Sequence, residues 1–320
     1  GKRSSVIIFD WDDTLFPTTF VMRTVLPSLG ASGADLPVDS EFYQTFARHA
    51  RMVEFVLRSA RQIGHVAIVT LAQCPWVLTS ADRFLPNLDL SALLQELQID
   101  VYYAREYVPP LQPEIHQWEV MLDRSQGKLG IEVDPLEDGA LLVRAVLPGG
   151  LTAAKGQADP TNAISPGDRI VAVNGVRQEL VAECRKTPLL TFVVSRELID
   201  MQPYTAAKQK GMSTCLARIR GRGPLRHNVI SIGDSEVEQK ALKDLLLNQN
   251  DGWPGKHSFC KTVNFLDMPN LENLSNQLKI LMVWLPRLVQ HEGHFDLTMA
   301  EIATGHIGNP DELERKLLAG

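Results

Sequence analysis

The sequence predicts an α/β fold: a parallel sheet flanked by helices, interrupted by a small β-rich domain. Three observations carry that reading. Buried-strand and helical patterns alternate over the first third of the chain and again after Met201. Between about His116 and Arg196 the texture changes to short alternating strands separated by Gly/Pro turns. The length of 320 residues suits about two domains, at roughly 100–200 residues each.

Val6–Asp10 opens the chain as a continuous apolar run, the pattern of a strand buried on both faces. In residues 41–63, Phe42, Phe46, Val53, Val56 and Leu57 recur near a 3.6 period, predicting an amphipathic helix that Gly64 ends. His65–Thr70 is a second strand, Pro75–Phe84 a helix with proline at its start, Leu90–Leu97 another helix and Asp100–Ala104 a third strand. The segments WEVMLDR, KLGIEV, ALLVRAVLPGG, RIVAVNG and LLTFVVSR then read as strands of the second domain. A helical signal is confined there to about Glu179–Lys186. The proline-bearing stretches VPPLQP and MQPY mark junctions, which divides the chain into 1–116, 117–196 and 197–320. After them come a helix over Tyr204–Ile219, a basic turn RGRGPLRHN, a fourth strand Asn228–Gly233 and a helix from Glu236 to about Leu247. A short strand Thr262–Phe265, a long helix Leu271–Leu288 and a polar tail from His291 complete the order.

Composition narrows the function. Hydrophobic residues make up 44% and charged residues 22%, ordinary globular values. A formal charge of −6 argues against a nucleic-acid or anionic-membrane binder. No apolar run reaches about 18 residues, so no membrane span is expected. The opening GKRSS runs straight into a strand, so no signal peptide is expected. Cys74, Cys184, Cys215 and Cys260 lack metal-ligand spacing and read as reduced, mostly packed thiols of a cytoplasmic or nuclear protein. His291 and His294 read as surface polarity, with no third ligand in view.

In open α/β sheets, ligands gather at the C-terminal ends of the strands. There the sequence places Asp10 and Asp12 after the first strand, Thr70 at the end of the second, and Asp234 after the fourth, with Glu238 one helical turn on. Lys208 and Lys210 precede that fourth strand. At ~4 Å and an effective dielectric of ~20, a like-charge pair costs about 4 kcal/mol, so converging carboxylates call for a cation. A hard divalent ion such as Mg²⁺ takes oxygen ligands and keeps waters that a phosphate replaces. Asp13 reads as part of the turn, and Phe16–Pro17 as the start of a short flap.

These motifs resemble those of the haloacid dehalogenase superfamily of aspartyl phosphotransferases, over roughly 4–115 and 200–290. The matching segments are Asp10-Trp11-Asp12-Asp13-Thr14, Thr70 closing VAIVT, a lysine before the fourth strand, and Gly233-Asp234-Ser235-Glu236-Val237-Glu238. The resemblance implies a Rossmann-like sheet and a Mg²⁺-dependent phosphatase. Asp10 is then the nucleophile and Asp12 the general acid and base, while Thr70 and Lys208 bind the phosphoryl oxygens. It places Mg²⁺ on Asp10, Asp234 and the backbone carbonyl of Asp12, with Glu238 orienting the lysine or a metal water. The resemblance also favours Lys208 over Lys210, since Pro203-Tyr204…Lys208 is similar to a Pro-Tyr…Lys spacing in that superfamily.

The interruption, about 117–196, resembles a PDZ domain. The carrying residues are Lys128-Leu129-Gly130-Ile131, then ALLVRAVLPGGLTAAKG, then Ile164-Ser165-Pro166-Gly167-Asp168-Arg169-Ile170 leading into VAVNG. This likeness implies capture of a protein C-terminus by the N–H groups of Leu129, Gly130 and Ile131. Its location is where that superfamily carries cap domains, so the expectation is a module that recruits or restricts a phosphorylated substrate, protein or small molecule. The alternative is a catalytically weak scaffold of the same fold that binds C-terminal peptides.

Overall fold

The computed structural model describes residues 4–30, 35–110, 114–198, 200–220, 227–247 and 258–299. Residues 111–113 of the first junction, 221–226 of the basic turn and the tail beyond 299 lie outside them. The chain forms two compact units, Pro110–Asp200 and the flanking Gly1–Pro109 with Met201–Gly320.

The first unit begins with β1 (Ser4–Phe9), a short helical segment over 18–29, α1 (Tyr43–Ile63), β2 (His65–Thr70), α2 (Trp76–Phe84), α3 (Leu90–Leu97) and β3 (Asp100–Tyr103). The second unit follows with β4 (Glu114–Asp123), β5 (Ile131–Pro135), β6 (Leu141–Val146), α4 (Leu151–Ala158), β7 (Arg169–Val173), α5 (Leu180–Lys186) and β8 (Leu189–Leu198). The first unit resumes with α6 (Gln202–Arg220), β9 (His227–Gly233), α7 (Glu236–Leu246), β10 (Phe259–Asn264), α8 (Leu271–Gln290) and β11 (Phe295–Thr298).

The first unit's sheet is wholly parallel in the order β11-β10-β9-β1-β2-β3. Strand order therefore reverses between β1 and β9, the place where doubly wound sheets open a crevice. The apolar run at β1 is explained by burial on both faces. Ile7 and Phe9 join a core with α1 and α8, whereas Val6 and Ile8 face Met212, Cys215 and Leu216 of α6 and Ala241, Leu242 and Leu245 of α7. Each fully buried side chain of this size contributes about 1.5–3 kcal/mol of transfer free energy.

The polar tail holds a strand that the sequence pattern does not signal. β11 pairs parallel to β10 at the sheet edge, and its polar side chains are tied into the fold. Asp296 accepts from Thr262 and pairs with Lys243 at 2.6 Å, while His294 Nδ1 accepts from the Cys260 N–H at 3.0 Å. His294 is exposed, as the surface-polarity reading expects, and its ring also accepts this one backbone bond at the sheet edge. Among the described residues, no helix is long and apolar enough to cross a membrane. Cys215 and Cys260 are buried, Cys184 half-buried and Cys74 exposed, all as free thiols.

The second unit is a five-stranded antiparallel sheet, ordered β4-β8-β7-β6-β5. β4 and β8 pair from Glu114↔Leu198 to Asp123↔Leu189, which brings the unit's two ends together and extends it beyond 117–196 on both sides. Buried Asp168 receives Arg196 at 2.6 and 2.8 Å and the Ser165 N–H at 2.7 Å, a charge fully paired inside the unit. The helix α4 was not expected, because LTAAKGQA shows almost no apolar face and buries only Thr152. Its first turn is fixed instead by backbone bonds from Leu151 and Thr152 to the carbonyls of Lys128 and Leu129, each 3.0 Å.

Candidate functional site

The Asp10 backbone N–H donates to the Ile232 carbonyl at 2.8 Å, so Asp10 prolongs the β1–β9 ladder into the crevice. The chain then turns sharply. The Trp11 carbonyl accepts from Leu15 and Phe16, both 2.9 Å, and Asp13 sits at a φ of 49°, in the left-handed region that Asp tolerates better than most residues. Trp11 anchors the turn inside the core, stacking on Phe16 and donating its indole N–H to Ser80 Oγ at 2.9 Å. Asp13 accepts from the Thr19 N–H at 2.9 Å, which commits it to the turn as its sequence position suggests.

From the other side of the crevice α6 delivers Lys208. Gly211, one turn on, lets this helix lie close against β2. A Cβ there would stand 3.0 Å from Val69 Cγ1 and 3.2 Å from Ala104 Cβ. Lys208 is fully buried, its Nζ 2.9 Å from Asp10 Oδ1 and 2.8 Å from Glu238 Oε1. Lys210 points elsewhere, lying over the Tyr107 ring at 4.4 Å. Glu238 is held in place because it closes a capping box at the start of α7, accepting from the Ser235 N–H at 3.2 Å and from the Ser235 hydroxyl. Asp234 accepts from Thr14 Oγ1 at 3.2 Å.

Carboxylate oxygens of Asp10, Asp234 and Glu238 lie within 4.8 Å of one another. Burial raises Asp10 well above the ordinary carboxylate range, against the pull of Lys208. Burial, reinforced by Glu238, lifts Asp234 to about 7. For Glu238, burial works against the charge, but Lys208 and Ser235 outweigh it and hold the group below its usual value. Burial also opposes the Lys208 charge, yet Asp10 and Glu238 keep its ammonium above its ordinary value. One buried cation among three carboxylates leaves an excess of negative charge that a divalent, oxygen-seeking ion would neutralise.

No known family model and no curated protein matches the chain.

Asp12 faces away from this cluster. Its Oδ1 accepts from the Trp76 indole N–H at 2.8 Å and from the Thr18 hydroxyl, and its Oδ2 from Thr70 Oγ1 at 3.3 Å. Thr70 Oγ1 also accepts from the Ala72 N–H at 3.0 Å. The structure thus brings Asp10, Lys208, Asp234 and Glu238 together, sets Asp12 and Thr70 beside each other, and leaves Lys210 out. Sequence reasoning missed Trp76 and Thr18, and it quoted Thr14 and Ser235 within the motifs without giving them a role. Ser235 carried a further local signal, the S-x-x-E pattern of a capping box.

In the second unit, Gly130 has a φ of +68°, and a Cβ there would stand 2.6 Å from Gly150 Cα. The carbonyls of Lys128, Leu129 and Gly130 all accept backbone bonds, from Leu151, Thr152 and Leu147. Among the described residues the N–H groups of Leu129 and Gly130 have no acceptor. They precede β5, an edge strand of the sheet. Successive unpaired N–H groups in a turn make an anion-binding concavity, and an open edge accepts an added strand.

Proposed function

We propose that the chain is a Mg²⁺-dependent phosphatase of the haloacid dehalogenase type, whose PDZ-like second unit recruits or restricts the substrate. The observation that carries this reading is a buried lysine paired to the strand-tip carboxylate Asp10 at the β1/β9 switch point, with two more carboxylates alongside. A structural salt bridge needs one acid; here three surround one cation.

The donor set fits a hard divalent ion. Asp10 and Asp234 would hold it with the Asp12 backbone carbonyl, since Glu238 is spent on Lys208 and Ser235. When bound, the ion supplies charge neutralisation at the phosphoryl oxygens. Asp10 attacks phosphorus, and the bond to the ester oxygen breaks as Asp12 gives that oxygen its proton. A water deprotonated by Asp12 then attacks the aspartyl-phosphate, which releases inorganic phosphate and restores Asp10. Lys208 and the Thr70 hydroxyl contact the transferring group, where positioning and charge account for most of the rate. The unpaired N–H groups at Leu129 and Gly130, with that of Ile131, support capture of a peptide C-terminal carboxylate beside β5.

A generic aryl-phosphate assay with and without Mg²⁺, on wild type and Asp10→Asn, tests the chemistry. Turnover should need Mg²⁺ and vanish in the variant; turnover that survives the substitution would defeat the Asp10 mechanism, and absent turnover in wild type would leave the scaffold alternative. An array of C-terminal peptides tests the second unit, with Gly130→Val as the non-binding control.

A further inference from the structure

The seam between α1 and α8 carries a cleft of about 570 Å³ on the first unit, lined by residues of both helices. Arg48 and Arg51 project into it from one face of α1, and Lys279 from α8. The single acid in its wall is Glu272. Two of the cations are held by neutral partners. Arg48 Nη2 donates to Thr45 Oγ1 at 3.2 Å, and Lys279 Nζ donates to Asn276 Oδ1 at 3.1 Å. Among the described residues, no carboxylate lies within 4.0 Å of the charged nitrogens of Arg48, Arg51 or Lys279. Arg58, two turns further along α1, shows the opposite arrangement, with Glu54 and Glu96 both on its guanidinium. The cleft therefore orients positive charge without cancelling it.

We propose that this cleft is a second, non-catalytic site for a small molecule bearing a diphosphate. Two guanidinium forks and an ammonium supply more charged donors than a lone phosphate would engage, a set suited to the oxygens of a diphosphate. The volume lies within the range of small-molecule sites and has room for an organic group beyond the phosphates. With Glu272 counted, the wall's net charge of about two suits a dianion or trianion at neutral pH. The inference does not depend on the phosphatase reading, because the cleft shares no residue with the Asp10 cluster.

Calorimetric titration of the full chain with methylenediphosphonate, a diphosphate that cannot be hydrolysed, tests it. The buffer contains EDTA, so that no divalent ion bridges ligand and protein. Wild type should bind one equivalent. Arg51→Ala and Lys279→Ala, both exposed positions, should each weaken binding by about tenfold, the loss of one charged hydrogen bond. Absence of binding at millimolar ligand would overturn the proposal, as would binding that neither substitution weakens.

Discussion

Lys208 Nζ lies 2.9 Å from Asp10 Oδ1 with the lysine side chain wholly excluded from solvent. Removing the cation strands two buried carboxylates, the situation that costs about 3–5 kcal/mol when one partner of a buried pair is lost. Lys208→Met should therefore lower unfolding free energy by about that amount at pH 8 and abolish turnover. Lys210→Met should stay within about 0.5–1 kcal/mol of wild type, since it loses only a cation–π contact with Tyr107. Urea unfolding and the aryl-phosphate assay on both variants separate the two lysines.

Asp234 titrates at about 7 in the folded chain against an ordinary 3.8, with burial as the main cause. Between those values the folded, metal-free protein holds a proton that the unfolded chain has released. This group's contribution to stability thus falls as pH rises through the window. A cation has to displace the proton, so the Tm gain on adding Mg²⁺ should grow from pH 6 to pH 8. Asp234→Asn should show little gain at either pH. A gain that is the same at both pH values in wild type would contradict the assignment.

Trp76 aims an indole N–H at Asp12 from 2.8 Å. An indole only donates, so it holds Oδ1 as an acceptor and leaves the Thr70-facing Oδ2 as the oxygen on which a proton can reside. Trp76→Phe keeps the ring but loses the donor. We expect kcat to fall about tenfold, with KM nearly unchanged, as for a group that acts on the reacting residue and not on substrate binding. Steady-state kinetics on the aryl phosphate measures both. An unchanged kcat would show that Asp12 is oriented without Trp76.

His49 is buried on α1, with Nε2 2.9 Å from the Leu15 carbonyl and Nδ1 2.9 Å from Ser275 Oγ. The carbonyl can only accept, so Nε2 carries the proton and Nδ1 accepts from the serine. Burial lowers the pKa from 6.5 to about 4. The unfolded chain therefore takes up a proton first as pH falls. Stability supplied by the neutral ring is complete above about 6.5 and drains away towards pH 4, at no more than about 1.4 kcal/mol per pH unit. Denaturant melts at pH 7, 6, 5 and 4 should show this slope, and His49→Asn should flatten it while lowering stability at pH 7.

The pairing of Glu114 with Leu198 brings the ends of the second unit side by side. Replacing 110–200 by a short Gly/Ser linker should leave a folded first unit, seen as a cooperative thermal transition. The deletion should change substrate choice more than basal aryl-phosphate turnover. Unchanged selectivity across phosphopeptides and small phosphates would exclude a recruiting or restricting role.

Much of this site was legible because strand tips concentrate its parts. Asp10, Asp234 and Thr70 each terminate an apolar run, and Glu238 follows Asp234 at helical spacing. Lys208 was favoured over Lys210 only through the resemblance, because both lysines sit in AAKQKGM and the rotation of α6 is barely encoded in its own sequence; the structure turns Lys208 into the crevice. Trp76 was invisible because its partner lies 64 residues away in sequence. The strand β11 escaped notice because an edge strand needs few apolar residues, and α4 because backbone bonds hold its first turn where an apolar face would otherwise be needed.

The register of β1 on β9, with Ile7 opposite Ile230, sets a schedule for synthesis. The central strand of the first unit emerges from the ribosome without one of its two neighbours. At about 5–20 residues per second, that neighbour follows on the order of ten seconds or more later. The second unit is contiguous from Pro110 to Asp200 and has all its strands long before then. That unit can close while the first unit's sheet, split on either side of it in sequence, is still half-built. The carboxylate cluster, which joins Asp10 to Asp234 and Glu238, cannot come into existence until synthesis has passed β9 and the start of α7.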